Sequence, residues 1–244
     1  MLSMRNFKPG LLPTLIAVPG IVMMIGFGIW QLERLAWKNG LLARIEARMA
    51  APAVTPDSLS GDPAQDEYRH VRLRGKIVVE RELFQVARSL NGNVGSHVLS
   101  AFALDNGKTV LIDRGWVPDE RKEPARRAAG QLKDTVELIG VVRLSQQSGW
   151  FTPNNDAARN VWFYIDVPAM QKTLGIAADS AYWYAIEAPA NPGGFPIGAQ
   201  TRVNIPNDHL QYAITWFAFA LSLGAIYLLY GRRRAREPAG ARPT

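Results

Sequence analysis

The sequence predicts a membrane protein with two transmembrane α-helices, paired as a helical hairpin, that flank a β-rich, mostly antiparallel extracytoplasmic domain of the α+β class. Three observations carry that expectation. Each end of the chain holds a long apolar run, each run is bordered on its outer side by basic residues, and the segment between them alternates apolar with polar residues in short stretches. The 244 residues include no cysteine, so the middle domain must fold on its own core without disulfides.

A short tail, 1–10, carries Arg5 and Lys8 and leads into "LLPTLIAVPGIVMMIGFGIW", Leu11 to Trp30. A cleaved signal peptide is the competing reading, because a basic start followed by an apolar stretch is its signature. The run is longer than a usual signal core, no A-x-A site follows, and "QLERLAWKNGLLARIEARM" continues as a helix. We therefore place a transmembrane helix at 11–31 and a helical extension at 32–51, in which Leu35, Leu42, Ile45 and Met49 recur at helical spacing until "APAVTP" stops it.

The extracytoplasmic domain is placed at 52–209, a length sufficient for one core. Seven strands are expected from "VRLRGKIVV", "ELFQVAR", "HVLSAFAL", "KTVLID", "TVELIGVVRL", "NVWFYID" and "AYWYAIE". "PAMQKTLG" reads as one short helix, with Pro168 near its start and Gly175 past its end. "DERKEPARRAAG", 119–130, reads as a charged loop, and Arg114, Gly115 and Trp116 read as a turn. No internal repeat is visible.

The second transmembrane helix is placed at 210–230. Tyr212 to Tyr230 is free of charge, with Tyr212 and Trp216 at one end and Tyr227 and Tyr230 at the other as interfacial aromatics. Arg232, Arg233, Arg234 and Arg236 open the basic tail, 231–244. Basic flanks on both runs place both termini in the cytoplasm and the domain on the opposite face. The two tails hold seven of the 28 Lys plus Arg and one of the 21 Asp plus Glu, leaving 21 bases against 20 acids between them. The positive charge is thus a matter of topology, and nucleic acid is not an expected partner; membrane lipid is. No Arg- and Ser-rich transit segment precedes the first run, so the expected location is a bacterial cell inner membrane, with a multi-pass chain and a periplasmic domain.

Several function classes are disfavoured. "NGKT" at 106–109 has Phe102 where a phosphate loop needs its first glycine; Ser96 and His97 lack the G-x-S-x-G elbow; no H-E-x-x-H is present. An enzyme is not expected, and no residue is assigned a catalytic role. A soft-ligand copper carrier is disfavoured by the missing cysteines, and an extracytoplasmic sensor by tails too short for an output module. An accessory or assembly protein fits best.

Four motifs in order, "GIWQLERLAWKNGLL", "YRHVRLRGKI", "VLIDRGWVP" and "NDHLQYAITW", resemble the surfeit-locus-1 family of cytochrome c oxidase assembly proteins, from about Gly26 to Tyr230. Two positions depart from the family pattern: Ala157 where proline is usual, and Gln211 where glutamate is common. The resemblance implies an assembly factor for the haem–copper oxidase that binds haem a transiently and aids its insertion into the catalytic subunit. That subunit is the implied partner, with haem a synthase a second. A protein-only chaperone that steadies the subunit without haem is the alternative reading.

The resemblance places the haem ligand at His209. Asn207 and Asp208 are good N-cap residues, so His209 falls in the first helical turn, and the neutral imidazole is the form that binds iron. Helical spacing sets His209, Tyr212, Ala213 and Trp216 on one face, continuing to Ala220 and Gly224, on which a flat macrocycle could rest. Small-residue pairs, Ala218 with Ser222 and Ala220 with Gly224, serve plain helix packing equally well. On the first helix Trp30, Arg34 and Lys38 share a face; Arg34 would clamp a propionate and Trp30 would pack on the ring, or the three are an interfacial aromatic with snorkelling cations. Gln31 reads as a polar anchor. His70 and His97 read as surface or hydrogen-bonded core histidines.

Overall fold

The computed structural model describes residues 7–177, 181–201 and 206–236. In chain order its main elements are α1 (Leu11–Ala50), α2 (Pro63–Asp66), β1 (His70–Leu90), β2 (Asn93–Leu104), β3 (Thr109–Pro118), β4 (Val136–Leu144), α3 (Val167–Leu174), β5 (Tyr182–Ala188) and α4 (His209–Arg236). They form two compact units, Met1–Arg44 with Asn204–Thr244, and Ile45–Val203.

In the first unit α1 and α4 run antiparallel. Contacts step down their length from Gln31 with His209, through Phe27 with Trp216, to Thr14 with Tyr227, whose hydroxyl groups are 2.7 Å apart. Close approach depends on small residues. Ala213 and Ala220 are buried, and a Cβ on Gly28 would fall 2.6 Å from the Phe217 ring. Ala220 and Gly224 lie on this packed seam, whereas Ala218 and Ser222 are exposed. The outward faces are apolar: Leu11, Ile16, Val22, Leu221 and Ile226 are each more than 60% exposed. Both helices are long and apolar enough to cross a membrane. A buried soluble helix would hide those side chains, and these do not.

The second unit is a closed five-stranded barrel with the order β1-β2-β3-β5-β4. β1, β2 and β3 follow one another antiparallel and β4 returns beside β1, which is a Greek key. β5 closes the barrel, antiparallel to β4 and parallel to β3. In β1, Val71, Leu73 and Ile77 face inward and Arg72, Arg74 and Lys76 face water, the period of two expected of a half-buried strand. β2, β3 and β5 are buried on both faces. Phe102, Ile112 and Tyr184 fill the interior, while Leu99, Leu111 and Trp183 pack outside against Trp162, Ile165 and the Val167, Met170 and Leu174 stripe of α3. Asp166 caps α3 through Ala169 N–H, and Gly175 ends it at φ 72°.

The structure corrects the strand count from seven to five. "VRLRGKIVV" and "ELFQVAR" are one strand, because register shifts at Val78/Glu82 and Gln85/Arg88 absorb the break between them. "NVWFYID" forms only bridges, Gln85 with Trp162 and Asp156 with Val161, because its apolar side chains serve the outer core instead of a ladder. Arg114, Gly115 and Trp116 lie inside β3 and not in a turn. Gly115 has φ +118°, and a Cβ there would stand 2.1 Å from the Ile197 carbonyl oxygen, whose segment bonds to Trp116 in both directions.

The charged loop is also not simply solvated. It folds as two 3-10 turns, Asp119–Arg121 and Pro124–Gly130, and sends Arg127 inward. Buried Glu82 accepts from Arg114 Nη1 at 2.8 Å, Arg127 Nη1 at 3.0 Å and Gln131 Nε2 at 3.2 Å, and also from Arg127 Nη2. Arg114 Nη2 donates to the Gly130 carbonyl. Burial pulls the Arg114 pKa down to about 10 against the opposing pull of Glu82, so it remains charged at neutral pH.

Candidate functional site

The start of α4 is tied to α1 by three polar contacts. Lys38 Nζ donates to the Pro206 carbonyl, Asn207 Nδ2 donates to Asn39 Oδ1 at 2.7 Å, and His209 Nδ1 lies 2.7 Å from Gln31 Oε1. Asp208 C=O accepts from Tyr212 N–H at 3.2 Å, so helical bonding begins there and His209 occupies the first turn. Asn207 and Asp208 flank the start as the sequence indicates, but the Asn207 amide bonds across to α1 and not to its own helix.

The His209–Gln31 contact has a chemical consequence. An amide oxygen only accepts, so the imidazole must donate from Nδ1, and the neutral ring then carries its lone pair on Nε2. No partner for Nε2 is found among the described residues. A histidine that donates from one nitrogen to a fixed acceptor and keeps the other free is the arrangement of a metal-binding imidazole. Gln31 is thereby more than the polar anchor the sequence suggested; it selects the tautomer. Its spacing within "GIWQLER" was the only sequence signal for it.

Trp216 lies about two turns deeper on the same seam. Its ring packs against Phe27 at 4.9 Å with the planes tilted by 37° and meets Phe219 edge-on at 6.3 Å. Ala213 and Ala220 of that face are only 1% and 6% exposed, covered by α1, so the open ground beside His209 is on the side of Tyr212, which is 56% exposed. Trp30 is 54% exposed at the same level of α1. The Arg34 guanidinium lies 4.0 Å over the Trp37 ring, and Lys38 is engaged with Pro206. The structure thus joins His209 and Trp216 through Gln31 and Phe27, and leaves Tyr212, Trp30 and Arg34 on exposed surface around them.

The other histidines sit in the barrel on carboxylates: His70 Nε2 is 2.9 Å from Glu187 Oε2, and His97 Nδ1 is 2.7 Å from Asp113 Oδ2. Among the described residues no three His, Asp or Glu side chains converge as a metal-holding group. Any metal bound at His209 must therefore bring most of its own ligands, as an iron porphyrin does.

The profile of the SURF1 family matches residues 18–221, a span that contains both Gln31 and His209. Surfeit locus protein 1 of Mus musculus is 36% identical over 231 residues, covering 87% of this chain and 73% of its own length. Surfeit locus protein 1 of Homo sapiens is 36% identical over 228 residues, with 86% and 73% covered. A SURF1-like protein of Monosiga brevicollis is 34% identical over 248 residues, with 96% and 92% covered.

Proposed function

Because this chain belongs to the SURF1 family, we propose that it is a membrane-anchored assembly factor for cytochrome c oxidase, which takes up haem a at His209 and presents it to the oxidase's catalytic subunit. Its two apolar helices anchor it in a bacterial inner membrane with both termini in the cytoplasm and the barrel in the periplasm, the orientation favoured by the basic flanks. Haem a synthase is the partner that would supply the cofactor.

The observation that carries the haem reading is the 2.7 Å contact between His209 Nδ1 and Gln31 Oε1. The residues present fit such a group: His209 would hold the iron through Nε2, Gln31 holds the imidazole in the tautomer that exposes that nitrogen, and the packed pair Phe27 and Trp216 floors the apolar seam below it. Haem a itself supplies the redox iron of the finished oxidase. The chain's part is to bind and release. A single imidazole at the mouth of a hairpin, with no cluster of three or more His, Asp or Glu side chains gathered among the described residues, suits a transient hold better than a permanent one.

The test is the visible spectrum of the full chain, purified in mild detergent from a host that makes haem a, beside His209→Ala. A Soret band with the haem a α-band in the parent, lost or shifted in the variant, is the expected result. A colourless parent that still co-purifies with the oxidase subunit would overturn the haem reading and leave a protein-only chaperone.

A further inference from the structure

A cleft of about 320 Å³ opens in the wall of the barrel, bordered by Arg88 of β1, His97 of β2, Asp113 of β3, Arg143 of β4, Trp183 of β5 and Thr201. Its size is at the small end of ligand sites. Buried polar groups in a folded protein are nearly always bonded, and this cleft departs from that rule. Among the described residues Thr201 Oγ1 is buried with no hydrogen-bond partner, and buried Arg143 Nε has only the Glu67 carboxylate at 3.6 Å, beyond hydrogen-bond distance. The Arg88 guanidinium, half-buried, makes no hydrogen bond or ion pair among the described residues. Burial holds its pKa below the ordinary value even though the field of Asp113 works the other way.

The backbone aims Arg88 at this place. The β1–β2 ladder slips between Gln85 and Arg88, and Ala87 within the slip has φ 57°, a conformation that costs an alanine free energy. A regular strand would need neither feature.

Charge matching defines what the cleft lacks. Asp113 is satisfied by Gly115 N–H at 2.8 Å and by His97 Nδ1 at 2.7 Å. Arg143 lies 3.6 Å from Glu67 and 4.4 Å over the Tyr68 ring. Among the described residues the Arg88 guanidinium remains as the cation without a hydrogen bond or ion pair, a planar fork of donors suited to one carboxylate. Trp183 and Ile186 line the same space with apolar surface.

We propose that this cleft binds a small monocarboxylate with an apolar body, its carboxylate held by Arg88 and its carbon skeleton laid against Trp183 and Ile186. The site lies wholly within the barrel and does not depend on the haem reading. One guanidinium with no directly bonded carboxylate, already within the field of Asp113, favours a single negative charge over a phosphate dianion, and the apolar wall favours an organic acid over an inorganic one.

Isothermal titration of the full chain in detergent, at constant ionic strength, tests this with benzoate, benzamide and inorganic phosphate as probes. Benzoate is expected to bind saturably, with benzamide and phosphate at least tenfold weaker. Arg88→Gln should weaken benzoate at least tenfold and Arg88→Lys, which keeps the charge and loses the fork, severalfold. Arg72→Gln, an exposed arginine on the same strand, should leave it unchanged. Unchanged melting temperatures for the Arg88 variants would separate lost binding from lost folding. Absence of saturable benzoate binding, equal binding by Arg88→Gln and the parent, or phosphate as the tightest probe would each overturn the proposal.

Discussion

Glu82 is the carboxylate whose removal should cost the barrel most. Its side chain is 3% exposed, and those of Arg114 and Arg127, both bonded to it, are each 1% exposed. Glu82→Ala leaves two buried guanidinium groups with no counter-charge. Breaking a buried pair from one side typically costs about 3–5 kcal/mol. In a domain of this size each kcal/mol lowers Tm by about 2–4 °C, so a fall of roughly 6–20 °C is expected. Arg127→Ala is the informative comparison. It leaves Glu82 bonded to Arg114 and Gln131, and should cost only the charge-assisted bonds it removes, about 2 kcal/mol. The assay is a near-UV circular dichroism melt of the full chain in detergent, which follows buried Trp116, Trp162 and Trp183 of the barrel. A loss below about 1 kcal/mol for Glu82→Ala, or one smaller than that of Arg127→Ala, would refute the reasoning, because it would mean water reaches the cluster and screens it.

Gln31→Leu removes the acceptor from His209 Nδ1 and frees the tautomer; loss of such a supporting partner typically costs about 10–100-fold in metal affinity. Titration of the purified chain with haem a should show that loss, and an unchanged affinity would sink the role given to Gln31. Asp66 is fully buried; burial alone would raise its pKa, but bonds from Ser60 N–H and Oγ, Gly61 N–H and Tyr182 OH lower it below 3.8. A depressed folded value stabilises the folded state fully above the unfolded value and ceases to as pH falls through the folded one. The parent should therefore lose this contribution below about pH 4. Asp66→Asn should be less stable at neutral pH by about 2 kcal/mol, with the difference shrinking in acid; a constant difference across that range would contradict the assignment.

The two apolar helices were legible because an uncharged run of about 20 residues has few other uses. The alternation of Val71, Leu73 and Ile77 with Arg72, Arg74 and Lys76 likewise announced β1, and Pro168 and Gly175 bracketed α3. Misreadings cluster where a side chain's partner is remote in sequence. "NVWFYID" has strand composition, yet Trp162 and Ile165 are consumed by an outer core that α3 and β5 complete. Arg127, in a stretch of seven charged residues out of nine, looked solvated, and only the slip in β1 that brings Glu82 inward makes its burial tolerable.

The candidate site divides the same way. His209 stood out as one of three histidines, placed at the mouth of an apolar run. Gln31, 178 positions away, could not be assigned to it until the helices paired. The sequence by itself determined which segments are apolar helices, that the middle is β-rich, and that charge gathers at the tails, because these depend on composition and short-range period. Tertiary structure alone decided the closure of the barrel through parallel β3–β5 pairing, the burial of Arg114 and Arg127 on one carboxylate, and the tautomer of His209. Each of these is an interaction between groups far apart along the chain, whose free energy exists only once the backbone has brought them within bonding distance.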